Sequence, residues 1–168
     1  FPTESSLDAL KQTSLQLAFM GKLVPQDTND QPASQLLRRI AKERARLEGE
    51  GKIKKSKPVP VLGEDEQPFE VPKNWLWSRL GEVSVTSTGK TPSTGKSKYY
   101  GGQIPFVGPG QLTPEGQVLS PEKWLSDAGR TETSIAKIGE ILMVCIGGSI
   151  GKCAISDREL AFNQQINC

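Results

Sequence analysis

Ile141-Leu142-Met143-Val144-Cys145-Ile146, then Gly147-Gly148-Ser149-Ile150-Gly151-Lys152, then Cys153-Ala154-Ile155, is the stretch whose reading decides the fold. The opening apolar run is too short for a helix of ordinary length, and the Gly-rich turn behind it breaks any helical pattern. A second short apolar run follows. That order predicts a core strand, a turn and an antiparallel hairpin partner. Upstream, Ile104-Pro105-Phe106-Val107 predicts another strand, at a sheet edge because Pro105 has no N–H for a ladder. Val83 and Val85 alternate with polar residues and predict a strand within 82–88. Between these runs lie polar loops: Thr88 to Lys96, Tyr99-Tyr100-Gly101-Gly102 and Gly108-Pro109-Gly110. Residues 73–168, opened by Trp75-Leu76-Trp77, therefore read as a mixed, strand-rich domain.

The N-terminal third reads differently. Leu7, Leu10, Leu15, Leu17, Ala18 and Phe19 place apolar groups around much of a helix from about Ser6 to Met20, which Gly21 stops. Pro32 fits the first turn of a second helix, and Asp30 lies near its cap. There Ala33, Leu36, Leu37, Ile40, Ala41 and Leu47 form one amphipathic face. Two such helices cannot bury all of these faces on each other, so they call for a further helix or another chain. Residues 1–51 are expected to be a helical, coiled-coil-type region. Residues 52–72, with Pro58, Pro60, Pro68 and Pro72, are expected to be an extended linker, and 73–168 to be the β-rich domain. The expected fold class is α+β.

Composition narrows the chemistry. The 168 residues contain no histidine, which removes imidazole bases and every His-based triad or metal site. Three cysteines, Cys145, Cys153 and Cys168, fit no metal spacing and read as buried reduced thiols. No apolar run is long enough to span a bilayer. Net charge is +2, yet Arg38 to Lys57 holds nine basic and three acidic residues. A solvated helix face and contact with a polyanion both account for that run, and composition does not choose between them.

Two Gly-Lys segments resemble phosphate loops with the wrong spacing. The motif places four residues between its glycines. Gly89 to Gly95-Lys96-Ser97 has five, and Gly147 to Gly151-Lys152-Cys153 has three. A nucleotide-binding enzyme is thus a weak alternative, and a protein-interaction module without a nucleic-acid role is another. Recognition chemistry is richer. Lys90, Lys96, Lys98 and Lys152 sit on Gly-rich loops, where backbone can approach a phosphate closely. Thr91, Ser93 and Ser149 offer hydroxyls. Asn163, Gln164, Gln165 and Asn167 offer amides, which can bind adenine in a bidentate manner. Tyr99 and Tyr100 could pack on sugar or base, or in a core.

A family resemblance joins these pieces. Leu15 to Asp27 with Pro32 to Arg44, then Val71-Pro72-Lys73-Asn74-Trp75-Leu76-Trp77, then Gly89-Lys90-Thr91-Pro92-Ser93 with Tyr99 to Val107, and finally Ile141 to Lys152 with Asn163-Gln164-Gln165-Ile166-Asn167 occur in the order found in one family. They resemble the specificity subunit of type I restriction–modification enzymes. The resemblance implies one helical conserved region and part of one target recognition domain. A complete member carries two of each, so the chain resembles an N-terminal or central fragment.

It implies a non-catalytic, cytoplasmic subunit that reads one half of a bipartite duplex DNA target and has no membrane role. Modification (methyltransferase) subunits and restriction/motor subunits would be its partners. S-adenosylmethionine, ATP and Mg would be held by those partners and no cofactor or metal by this chain. The expected DNA-facing residues are Thr88, Gly89, Lys90, Thr91, Ser93, Lys96, Lys98, Tyr99, Tyr100, Ser149, Lys152, Gln164 and Gln165. Leu10, Leu17, Leu36, Leu37 and Ile40 are the expected subunit-docking residues. No catalytic residue is expected.

Overall fold

Helices α1 (Glu4–Phe19) and α2 (Ala33–Gly49) lie in the first of two compact units, 1–85, and two β-sheets make up the second, 86–168, in a computed structural model of the chain. The structure describes residues 3–55 and 58–168. Lys57, the last member of the basic run, and the residues at 1, 2 and 56 of the expected helical region and linker lie outside them.

Helix α1 begins at Thr3, whose Oγ1 accepts the Ser6 N–H at 3.4 Å. In α2 Asp30 does not cap. Pro32 occupies the cap position, and the Ala33 N–H is satisfied by the Asn74 carbonyl at 2.8 Å. No described residue of 1–85 is buried. What holds this unit is largely polar. Arg44 donates from Nη1 to the carbonyls of Gly81 (2.5 Å) and Glu82 (3.1 Å) and from Nη2 to Ser84 (3.0 Å). Arg79 donates to Glu66 (2.7 Å) and to the Pro60 carbonyl (3.0 Å). The Trp77 indole donates to the Phe69 carbonyl, and the two rings meet edge-on at 4.9 Å.

The strand expected within 82–88 does not form. Leu80–Val83 is a helical turn, α3. Glu82 accepts the Arg79 N–H (3.2 Å) and the Ser78 hydroxyl (2.6 Å) at its start, while Arg44 takes the carbonyls at its end. Capping at both ends outweighs the Val83/Val85 alternation, which has no core to face: both valines are exposed. Pairing within 82–88 is confined to the last two residues: Ser87 exchanges both backbone hydrogen bonds with Cys168 (2.9 and 2.8 Å), beside the isolated bridge of Thr88 to Asn167.

In the second unit β1 (Tyr100–Val107) pairs antiparallel with β2 (Lys123–Leu125) and parallel with β6 (Leu160–Phe162). That strand in turn pairs antiparallel with β3 (Ile135–Ala136). The sheet order is β2-β1-β6-β3, so β1 is interior and Pro105 is not at an edge. The parallel pairing starts at Phe106, one residue later, so that flank makes no demand on the missing N–H. The second sheet is β5-β4-β7, built from β4 (Ile141–Val144), its predicted hairpin partner β5 (Cys153–Ile155), and β7 (Ile166–Asn167).

Alternation in β4 sends Leu142 and Val144 inward and leaves Ile141 exposed. They meet Val107, Ala136, Leu160 and Phe162 from the other sheet in one core. Phe106, Leu125 and Ala161 form a smaller cluster on that other sheet's opposite face. None of the three cysteines is buried as expected: Cys145 lies past the end of β4 and is exposed, Cys153 and Cys168 are half-buried, and all three thiols are free. Burial first, and then the Glu140 carboxylate beside it, pushes the Cys168 thiol up to about 12. The helices with both sheets make the protein α+β.

Candidate nucleic-acid interface

Three segments far apart in sequence converge beside the core: 88–93, the turn 145–152 and the turn 163–165. Gly89 makes the first contact. A Cβ there would collide with the carbonyl oxygens of Phe162 and Asn163, so the chain passes this point only as glycine. The Lys90 N–H then donates to the Phe162 carbonyl (3.1 Å) and to the Thr133 hydroxyl (3.0 Å). The Ser134 hydroxyl donates to the Thr88 carbonyl at 2.8 Å. Thr91 Oγ1 reaches Gln164 Oε1 at 2.7 Å. Pro92 is buried, and its carbonyl accepts the Tyr100 hydroxyl at 2.6 Å.

The 163–165 turn is wired from within. Asn163 Oδ1 accepts the Gln165 N–H (3.0 Å), and Asn163 Nδ2 donates to Gln165 Oε1 (3.0 Å). Gln165 Nε2 donates to the Ile146 carbonyl (3.4 Å), and its own carbonyl accepts the Cys145 N–H (2.8 Å). This ties the turn to the Gly-rich one. Gly147 has φ +106°, and a Cβ on it would stand 3.0 Å from Gln165 Nε2, so it is fixed both by conformation and by space.

The expected residues divide accordingly. Thr88, Lys90, Ser93, Lys96, Lys98 and Gln164 are exposed, while Thr91, Ser149, Lys152 and Gln165 are half-buried. Tyr99 is buried, with its hydroxyl 3.2 Å from Glu132, and Tyr100 is half-buried. Both tyrosines brace the loop. The ammonium groups of Lys96 and Lys98 stand 5.6 and 5.3 Å from the Tyr99 ring centre. Lys90 is shared with Glu132, its Nζ 3.6 Å from the carboxylate.

Residues 86–168 carry eight basic and seven acidic groups, so their net charge of +1 supplies little general attraction to a polyanion. Residues 83–114 hold three lysines and no acid, but Glu132 stands beside Lys90, so the local excess is small. Thr133 and Ser134 support the site and were not among the expected residues, while Asn163, expected among the recognition amides, serves the turn instead. Thr133 and Ser134 sit more than forty positions from the loop they tether, and no local motif marks them.

The phosphate-loop alternative fails on geometry. A phosphate loop opens a helix, whereas the first segment runs through the single turn Ser97–Tyr99 into β1 and the second runs directly into β5. Among the described residues no cluster of three His, Cys, Asp or Glu groups could hold a metal, and no helix is long and apolar enough to cross a membrane.

In the helical unit Leu10, Leu17 and Leu36 are exposed, while Leu37 and Ile40 are half-buried. Leu36 lines a cavity of about 420 Å³ with Trp75 and Leu76. Ile40 lines a largely apolar groove of about 340 Å³ with Leu47, Ile53, Val83 and Val85. Leu37 lines a third, of about 450 Å³, with Ala41 and Val59.

Comparison with known proteins adds the family. Residues 72–168 match the model of the type I restriction modification DNA specificity domain. The type I restriction enzyme EcoAI specificity subunit of Escherichia coli is 65% identical over 83 residues, and the EcoEI specificity subunit of the same organism is 61% identical over 83 residues. Each match covers 49% of this chain and 14% of the relative, so the aligned part is a small piece of those proteins.

Among solved structures, a chain from a study of complex assembly and conformational transition in the type I R-M system superposes with a TM-score of 0.48 at 16% identity. That match covers 99% of this chain and 37% of the other. The HsdS subunit from Thermoanaerobacter tengcongensis gives 0.48 at 18%, covering 80% and 33%.

Proposed function

Because the chain belongs to the type I restriction modification DNA specificity domain family, we propose that residues 73–168 read one half of a bipartite duplex DNA target, and that the N-terminal helices dock partner subunits. The observation that carries the first part is the convergence of 88–93, 145–152 and 163–165 on one rigid, polar rim. Lysines on the loops set position through phosphates, and loop side chains face base edges. Lys152, on the Gly-rich turn, is a point charge suited to phosphate.

The docking part rests on the largely apolar groove at Ile40 and the mixed cavities at Leu36 and Leu37, in a unit without a buried residue among those described. Its partners are the modification (methyltransferase) and restriction/motor subunits, which supply S-adenosylmethionine, ATP and Mg chemistry. This chain supplies the address.

Duplex DNA binding measured across a salt series tests the proposal. The full chain should bind with a steep salt dependence, and Lys152→Ala should weaken binding about equally on all sequences while lowering the salt slope by about 1. Sequence preference that changes with the salt slope intact would remove Lys152 from the phosphate contacts. Absence of any salt-dependent binding by the full chain would remove the DNA-reading role.

A further inference from the structure

We infer that Gln164 is the base-reading side chain of this rim and reads adenine, with Thr91 as the residue that positions it. The inference rests on the DNA-reading role proposed above. Three amide side chains lie in a row at 163–165, and the structure separates them. Asn163 uses both ends of its amide within the turn, Oδ1 on the Gln165 N–H and Nδ2 on Gln165 Oε1. Gln165 accepts at Oε1 and donates from Nε2 to the Ile146 carbonyl. Both are frame. Gln164 is exposed, and among the described residues its side chain has one hydrogen bond, from Thr91 across a separation of 73 residues.

The polarity of that contact decides what Gln164 can read. Thr91 donates its hydroxyl proton to Oε1 at 2.7 Å, which fixes the oxygen end and turns the amino end away from Thr91. Both N–H bonds of Nε2 and one lone pair of Oε1 remain. A donor beside an acceptor is the pair that meets adenine, N–H on N7 and oxygen on the N6 amino group. Guanine would set O6 against Oε1, oxygen against oxygen. Thr91 itself cannot drift. Lys90 before it is bonded to Phe162 and Thr133, and Pro92 after it is buried and bonded through its carbonyl to Tyr100. The amide is therefore pre-set at little entropic cost on binding.

The test is selection of the full chain against a randomised duplex pool, with sequencing of the bound fraction. Gln164→Ala should relax one position, an A·T pair, by about 5- to 150-fold in preference. Thr91→Val keeps the side-chain shape and removes the donor, so it should relax the same position to a smaller extent. Thr91→Ser should restore it, which a purely structural role for Thr91 would not require. An unchanged motif in a folded Gln164→Ala variant, or relaxation at a G·C pair, overturns the assignment. A wild-type chain that enriches no motif overturns the DNA-reading role itself, which is a different failure.

Discussion

The two units solve the same problem in opposite ways. The β unit, under half of the chain, contains every buried side chain among the described residues and closes its two sheets on a shared apolar core. The helical unit has longer elements and no buried residue among those described, and a few charged or polar side chains pin its segments together. Regular secondary structure is therefore no guide to where stability lies here. Short strands with the right alternation make a core, while long helices with apolar faces leave much of those faces exposed. The polar rim of 88–93, 145–152 and 163–165 sits on the unit that has a buried core.

The sharpest way to break this contrast is at Phe162, which is fully buried where the two sheets meet. Phe162→Ala should cost about 3–5 kcal/mol and abolish the near-UV signal of the β unit. Backbone signals of α1 and α2, followed by NMR, should persist. Loss of both units together would show that the helices borrow their order from the β core.

Arg44 tests the other side. Arg44→Ala removes three donations to the carbonyls of 81–84 and should cost about 1–3 kcal/mol locally. Hydrogen exchange should accelerate around 80–84 and remain unchanged in β4 and β6. Arg44→Lys should rescue little, because a single ammonium cannot span three carbonyls.

Acid is the gentlest probe. The Arg79 guanidinium and then the Gly63 N–H hold Glu66 below the usual carboxylate range. The Ser78 hydroxyl and then the Arg79 N–H do the same for Glu82. For a carboxylate whose folded pKa is depressed, the stabilisation is complete above the unfolded value near 4.3 and is lost as pH falls through the folded one. Both groups are exposed, so the effect is small. The turn at 80–83 and the 63–66 segment should loosen below about pH 4.3, ahead of the β core, as read by chemical-shift titration. Simultaneous loss of both units would deny the polar unit its separate pH response.

How much was legible beforehand follows the same division. The 141–155 hairpin could be read because alternation, length and a Gly-rich turn are all local. The strand misread within 82–88 shows the converse: Val83 and Val85 alternate correctly, yet Arg44, some forty positions away, caps a helical turn instead. Pro105 was misplaced at an edge because the start of the parallel pairing at Phe106 has no local trace. At the rim the residue types were legible, but their division was not. Gln164 and Gln165 are identical neighbours in the sequence, and only the positions of Thr91 and Ile146 tell them apart.

The order of synthesis gives β6 a last consequence. Its three residues sit at the centre of the four-stranded sheet, between β1 and β3, although they leave the ribosome more than fifty residues after β1. Until they emerge, β1 and β3 have no common partner and Leu160 and Phe162 are missing from the core. The pairing cannot be nucleated locally, and the loop that it closes must be ordered before any contact rewards it. The rim that depends on residues 163–165 is completed at the same moment. A nascent chain halted short of Leu160 thus lacks both the closed β core and the rim that 163–165 complete.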